Sequence, residues 1–162
     1  LPNLVHHSFF SFGNNKPEGN ISLCIGNFSP IKNQLFLLDV WKRVVQVLPD
    51  ALLVFAGDGF ENPSFKQKLH ESGLMSHIKV LPRLSREEVA STMSKCKMVL
   101  SASRVETFGL TLAEALAMGI PVVATDSGGP RDIITPVDGF LIHQGDTAGF
   151  SEAVLKLFKG SV

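Results

Sequence analysis

Glu106 and Glu114 are the residues of this chain best placed by type and spacing to do chemistry. They lie in the stretch SRVETFGLTLAEALAMG, residues 103–119, where Glu106 precedes a Phe-Gly pair and Glu114 sits inside an apolar run. Leu110, Leu112, Ala113, Leu116 and Ala117 recur at helical spacing among good helix formers. A helix is therefore expected there, opened by Gly109 and closed by Gly119 ahead of Ile120 and Pro121. Glu114 then lies about one turn inside the helix, its side chain leaning back toward the N-terminus, and Glu106 lies in the loop feeding that same end. Free N–H donors at a helix N-terminus suit a phosphate, and carboxylates suit sugar hydroxyls. Capping and the helix macrodipole use carboxylates at the same places, so on spacing alone both roles stand.

The elements that must position these groups can be read in order. ISLCIG, 21–26, is an apolar run of strand length that breaks into NFSPIKN, a loop with Pro30 and an isolated cation, Lys32. Phe36, Leu37, Val40, Trp41, Val44, Val45 and Leu48 predict a helix over 33–48. ALLVFAG, 51–57, is a second strand, ending in Gly57-Asp58-Gly59; a modest helix over 62–72 stops at Gly73. HIKVL, 77–81, runs into Pro82-Arg83-Leu84, and Ser85 with Glu88 forms a capping box for a helix over 86–95. KMVLSA, 97–102, delivers the chain to Arg104 and Glu106. After the central helix come a strand PVVAT, 121–125, a loop DSGGPRDII with one helical turn, a sixth strand GFLIH, 139–143, and a helix over 147–159.

Six alternations of apolar strand and helix predict an α/β domain: a doubly wound, Rossmann-like six-stranded parallel sheet with helices on both faces. Residues 1–20 read as an irregular segment or linker with a Gly/Asn/Pro cluster at 13–19, and 21–162 as one domain. A ligand of such a sheet sits beyond the C-terminal strand ends, which here are 26–32, 57–59, 82–84, 102–109 and 125–130. The glycines, lone cations and acids of the chain concentrate in those five loops.

Composition removes several function classes. Lys plus Arg and Asp plus Glu number 15 each in 162 residues, so no overall field attracts nucleic acid or an anionic membrane, and an anion site must be local. No apolar run approaches the roughly 18 residues of a transmembrane helix, and the N-terminal residues lack a signal-peptide pattern. Cys24 and Cys96 have neither CxxC spacing nor a disulfide framework and read as structural, which suits a reducing, cytoplasmic compartment. The five His (His6, His7, His70, His77 and His143) make no metal-ligand pattern with them. GNFSPIKN after the first strand contains no GxGxxG turn and no Walker loop, which argues against a dinucleotide-dependent oxidoreductase.

ISLCIGNFSPIKN, FAGDGF, GFLIHQGD and above all the Glu-x7-Glu motif inside SRVETFGLTLAEALAMGIPVVATDSGGPRDII carry a family likeness. The chain resembles, over nearly its whole length, the C-terminal donor-binding domain of GT-B glycosyltransferases, most of all the retaining family 4 (glycosyl transferases group 1). The resemblance implies one half of a GT-B architecture and assigns roles. Glu106 and Lys32 are the catalytic pair, Glu106 on the transferred sugar and the Lys32 ammonium on the diphosphate. Glu114 takes the ribose hydroxyls, and the amides of Gly109 and Leu110, beside Phe108, face the diphosphate. Arg83 and Leu84 lie against the nucleobase, and Gly128 and Gly129 allow a close loop beside the pocket.

The family commonly has a basic residue, usually Arg, five positions before the Lys, and this chain has Asn27 there. Exchanging a bidentate charged grip for a neutral hydrogen bond costs diphosphate binding about 1.5–3 kcal/mol. Ala102 also replaces a frequent Pro before Ser103, a change confined to loop stiffness. The implied function is that of the donor domain of a retaining hexosyltransferase. It needs no metal or cofactor, its substrate is a UDP- or GDP-hexose, and its acceptor is a glycan or lipid-linked molecule held by an N-terminal domain outside this chain. The resemblance further implies bacterial polysaccharide synthesis and a cytoplasmic protein that associates peripherally with the inner face of the membrane through its other half. On this reading the domain binds nucleotide but transfers no sugar by itself. The competing reading is a non-catalytic nucleotide-sugar-binding or scaffolding module that keeps the fold, and Asn27 is its best argument.

Overall fold

The computed structural model describes residues 5–11 and 17–160. Six strands form one sheet: β1 (Ile21–Ile25), β2 (Leu52–Ala56), β3 (Ile78–Leu81), β4 (Met98–Ser101), β5 (Val122–Thr125) and β6 (Gly139–Ile142). All pairings are parallel and the spatial order is β3-β2-β1-β4-β5-β6. The helices between them are α1 (Gln34–Val47), α2 (Pro63–Ser72), α3 (Arg86–Met93), α4 (Leu110–Ala117) and α5 (Thr147–Phe158). The doubly wound expectation holds, with each predicted element within a few residues of its observed limits.

The two-residue period of the strands divides the core into two layers. Leu53 and Phe55 of β2, Met98 and Leu100 of β4 and Val123 of β5 face a cluster with Leu37 and Trp41 of α1, Phe65 of α2 and Phe150 and Val154 of α5. Val54, Ala56, Val99, Val122 and Ala124 face the other way, against Ala90 and Met93 of α3 and Leu112 and Ala115 of α4. The four inner strands are apolar on both faces as expected, whereas the edge strands β3 and β6 expose Val80 and Leu141.

Side chains cap the starts of α2, α3 and α5. Ser85 and Glu88 make both bonds of the predicted capping box, Asn62 accepts the Ser64 N–H ahead of Pro63, and Asp146 accepts the Gly149 N–H. The expectation of an irregular start is corrected at one point. His7–Ser11 is a 3-10 helix, and Phe9 is wholly buried beside Ala90, Met93, Leu112 and Ala115, closing the core over α3 and α4. Residues 12–16, which hold part of the Gly/Asn/Pro cluster, fall outside the described residues.

Candidate functional site

The strand order reverses between β1 and β4, and the crevice at such a switch point is where ligands of open α/β sheets bind. The β1 and β4 loops leave the sheet side by side there, one carrying Lys32 and the other Glu106.

The β1–α1 loop is held from beneath by a side chain the sequence reading did not single out. Gln34 is wholly buried at the start of α1. Its amide donates to the carbonyls of Gly26 (3.2 Å) and Asn27 (3.0 Å) and accepts the Ser29 N–H (3.3 Å). The β2–α2 loop is laced to the same segment: the Phe28 N–H donates to the Asp58 carbonyl at 2.8 Å, and the Asp58 N–H to Asn27 Oδ1 at 3.0 Å. With its oxygen committed to Asp58, Asn27 keeps its NH2 group as the free donor. Lys32 is set by its own N–H on Ser29 Oγ at 3.2 Å, with its aliphatic stem running over Gly26.

The β4–α4 loop is clamped from three sides. The Arg104 N–H donates to the Ile31 carbonyl at 2.8 Å, joining it to the Lys32 loop, and the Thr125 hydroxyl donates to the Ser103 carbonyl at 2.6 Å. Glu106 forms an isolated parallel bridge with Gly128: its N–H donates to the Ser127 carbonyl (3.0 Å) and its carbonyl accepts the Gly129 N–H (2.7 Å). A Cβ on Gly129 would stand 2.5 Å from the Phe108 nitrogen, so only glycine permits this approach. Farther out, the Gln144 amide donates to the carbonyls of Arg104 (2.7 Å) and Asp126 (3.1 Å), and Arg131 makes a two-bond ion pair with Asp126. Gly109, with φ of 90°, turns the chain into α4.

These supports bring Lys32 Nζ to 2.6 Å from Glu106 Oε2, with side-chain exposures of 38% and 18%. Partial burial pushes the Glu106 carboxyl up, but the Lys32 hydrogen bond and charge outweigh it. The amides of Phe108 and Gly109, leaning on the same carboxylate, add to the effect and leave the group below its ordinary range. Glu114 lies in the second turn of α4 and is only 9% exposed. No donor among the described residues pairs with its carboxylate. Burial pushes its pKa up, and the nearby charge of Arg86, at the start of α3, draws it partly back.

Arg83 and Leu84 line a cavity of about 310 Å³ together with Ile25, Gly26, Asn27, Gly57 and Val89, on the β1 side of the crevice. Phe108 is half-buried, and Leu110, the first residue of α4, is exposed. The nominated residues thus come from four strand ends: Asn27, Arg83 and Leu84 line that cavity, Lys32 pairs with Glu106, and Gly128 and Gly129 flank the Glu106 backbone. A larger groove of about 1070 Å³ lies between α2 and β3 and shares Gly57, Asp58, Gly59 and Pro82 with the strand-end loops. The sequence reading missed Gln34, Gln144, Arg86 and the Asp126–Arg131 pair. Only Gln34 left a trace there, as a polar residue opening a helix that is otherwise apolar on its inner face. Among the described residues no group of three or more His, Cys, Asp or Glu is placed to hold a metal ion, and no helix is long and apolar enough to cross a membrane. Both cysteines are buried, and burial pushes each thiol up to about 12.

Comparison with known proteins decides the family, because the family model for glycosyl transferases group 1 matches residues 7–161. The chain belongs to the glycosyl transferases group 1 family. Curated relatives agree. An uncharacterized glycosyltransferase of Methanocaldococcus jannaschii is 33% identical over 144 residues, 88% of this chain and 39% of its own length. N-acetyl-alpha-D-glucosaminyl L-malate synthase of Bacillus anthracis is 30% identical over 140 residues, 86% of this chain and 36% of its own. The chain therefore spans little more than a third of the length of these relatives. Among solved structures, HepE of Anabaena in complex with UDP-glucose superposes with a TM-score of 0.79 at 23% identity, over 96% of this chain and 44% of that one. TarM gives 0.83 at 23% identity, over 91% and 30%. At that identity the likeness shows the fold alone, a Rossmann-like parallel sheet with helices on both faces.

Proposed function

We propose that this chain is the donor domain of a retaining glycosyltransferase, binding a nucleoside-diphosphate hexose in the crevice between β1 and β4. The observation that carries the proposal is the convergence of the Lys32 ammonium, the Glu106 carboxylate and the amides of Phe108 and Gly109, just ahead of α4, at the switch point of the sheet. The solved neighbours whose complexes contain UDP, or UDP with a sugar, support the ligand class. A relative named as GDP-mannose-dependent keeps a guanine nucleotide within it.

The chemistry follows from the charges. As the bond between sugar and phosphate breaks, negative charge grows on the departing diphosphate, and Lys32 with the N-terminus of α4 is preorganised to meet it without a metal ion. The free NH2 of Asn27 adds a neutral donor on the same side. Glu106 accepts hydrogen bonds from the hydroxyls of the hexose, and Glu114, otherwise unpartnered among the described residues, accepts those of the ribose. The cavity lined by Arg83 and Leu84 takes the base. The acceptor, a glycan or lipid-linked molecule, belongs to a second domain, so this domain alone binds donor without turnover.

Calorimetric titration with UDP, GDP, UDP-glucose and GDP-mannose tests the reading, in buffer with and without EDTA. Binding of at least one nucleotide, insensitive to EDTA and lost in Lys32→Ala, is the expected result. Absence of binding at millimolar ligand by folded protein, or transfer of sugar to water or an added acceptor by the isolated domain, refutes it.

A further inference from the structure

We infer that Glu106 makes the site discriminate between the charged donor and its spent nucleotide, favouring the nucleoside-diphosphate hexose over the free nucleoside diphosphate. The inference rests on the donor-site reading above and adds a selective role to one of its residues. In the unliganded protein the Glu106 carboxylate already occupies the groups a phosphate would use, with Oε2 at 2.6 Å from Lys32 Nζ and the amides of Phe108 and Gly109 leaning on it. An internal anion therefore stands where the ligand's anion must come. It cannot swing away with its backbone, because the Glu106 N–H and carbonyl are both bonded to the 127–129 segment, and the Arg104 N–H ties the loop to Ile31.

Two ligands meet this carboxylate differently. A free nucleoside diphosphate presents a terminal phosphate with close to two charges and no hydrogen to donate, so it shares Lys32 with a like charge. In a nucleotide sugar that phosphate is esterified and carries a single charge, and the hexose beside it offers hydroxyl donors to the acceptor-only carboxylate. Glu106 thus opposes the first ligand and rewards the second. The same contact disfavours rebinding of the leaving group once the hexose has gone. Among the described residues the charged group acting on the carboxylate is Lys32, paired to it directly.

The test is calorimetry on the whole chain with four probes, UDP, UDP-glucose, GDP and GDP-mannose, for wild type, Glu106→Gln, Glu106→Ala and Lys32→Ala, each checked for folding by thermal melting. Glu106→Gln is expected to bind the free diphosphate of the preferred base at least tenfold more tightly than wild type while binding the sugar nucleotide no more tightly. Glu106→Ala shows the same reversal, and Lys32→Ala weakens both ligands together. Weaker or unchanged diphosphate binding in both Glu106 variants, with the wild type still binding nucleotide, overturns the inference and leaves the donor-site reading intact. Failure of every probe to bind either wild type or Glu106→Gln overturns both.

Discussion

Replacing Lys32 by alanine separates what the Lys32–Glu106 pair does for the fold from what it does for a ligand. The two side chains are 38% and 18% exposed, so water screens the pair and its share of folding stability is about 0.2–1 kcal/mol. For a domain of this size such a loss lowers Tm by no more than about 2–4 °C. A charge-assisted hydrogen bond from an ammonium to a diphosphate contributes about 1.5–3 kcal/mol, a factor of roughly 10–150 in Kd. The expected result is thus a nearly normal melting curve with a large loss of nucleotide affinity, read by differential scanning calorimetry and titration calorimetry on the same sample. The pH dependence gives a second check. Glu106 has a folded-state pKa below its ordinary 4.5, so it stabilises the protein above that value and the contribution is lost as pH falls through the lowered pKa. Removing Lys32 takes away the hydrogen bond and charge that lower it, so the stabilities of wild type and variant converge in acid. A Kd within threefold of wild type refutes the placement of the diphosphate beside Lys32, and a difference in stability that persists unchanged into acid refutes the account of the ion pair.

The remaining substitutions address the frame and the second carboxylate. Glu114→Gln removes a buried, unpartnered carboxylate whose pKa is raised, so the wild type gains stability as pH falls from that raised value toward 4.5 and the variant does not. At neutral pH the variant melts at or above the wild-type temperature yet binds nucleotide at least fivefold more weakly; equal affinity removes Glu114 from the ribose site. Gln34→Leu leaves the Gly26 and Asn27 carbonyls and the Ser29 N–H without their partner and should cost about 2–4 kcal/mol in urea unfolding; a loss below 0.5 kcal/mol contradicts the loop's dependence on it. Gly129→Ala drives a methyl group into the backbone at Phe108 and costs about 1–3 kcal/mol together with nucleotide binding. Gly119→Ala, where the added methyl meets open space, carries only the strain of its positive φ and leaves binding unchanged.

How much of this was legible in the sequence depends on how far each feature reaches along the chain. The sheet was legible because its strands are continuous apolar runs set off by glycine, and alternation with helices forces parallel pairing. Capping by Ser85 and Glu88 was legible for a similar reason, since both partners lie within one helical turn. The 3-10 helix at His7–Ser11 was not, because five residues make no period. Its reason to fold is tertiary, namely Phe9 filling the space between α3 and α4. Gln34 and Gln144 escaped for the same cause: each acts on carbonyls supplied by loops that only the folded chain brings within reach.

The candidate site shows the limit most sharply. The sequence put Lys32 and Glu106 in strand-end loops, and the family resemblance implied a role for each, a cation for diphosphate and a carboxylate for sugar. What the sequence could not show is that the two groups satisfy each other at 2.6 Å before any ligand arrives. That contact changes how a mutation at the site must be interpreted. If each residue merely added a contact, removing either would weaken every ligand. If the carboxylate competes for the ammonium, removal of Glu106 should tighten the diphosphate left behind without tightening the sugar nucleotide. Asn27 takes on meaning in the same light. With its oxygen fixed by Asp58, it offers a neutral donor beside a single contested cation. On the proposed reading, free diphosphate should therefore be held weakly, with the balance of affinity shifted toward the ligand that still carries its hexose.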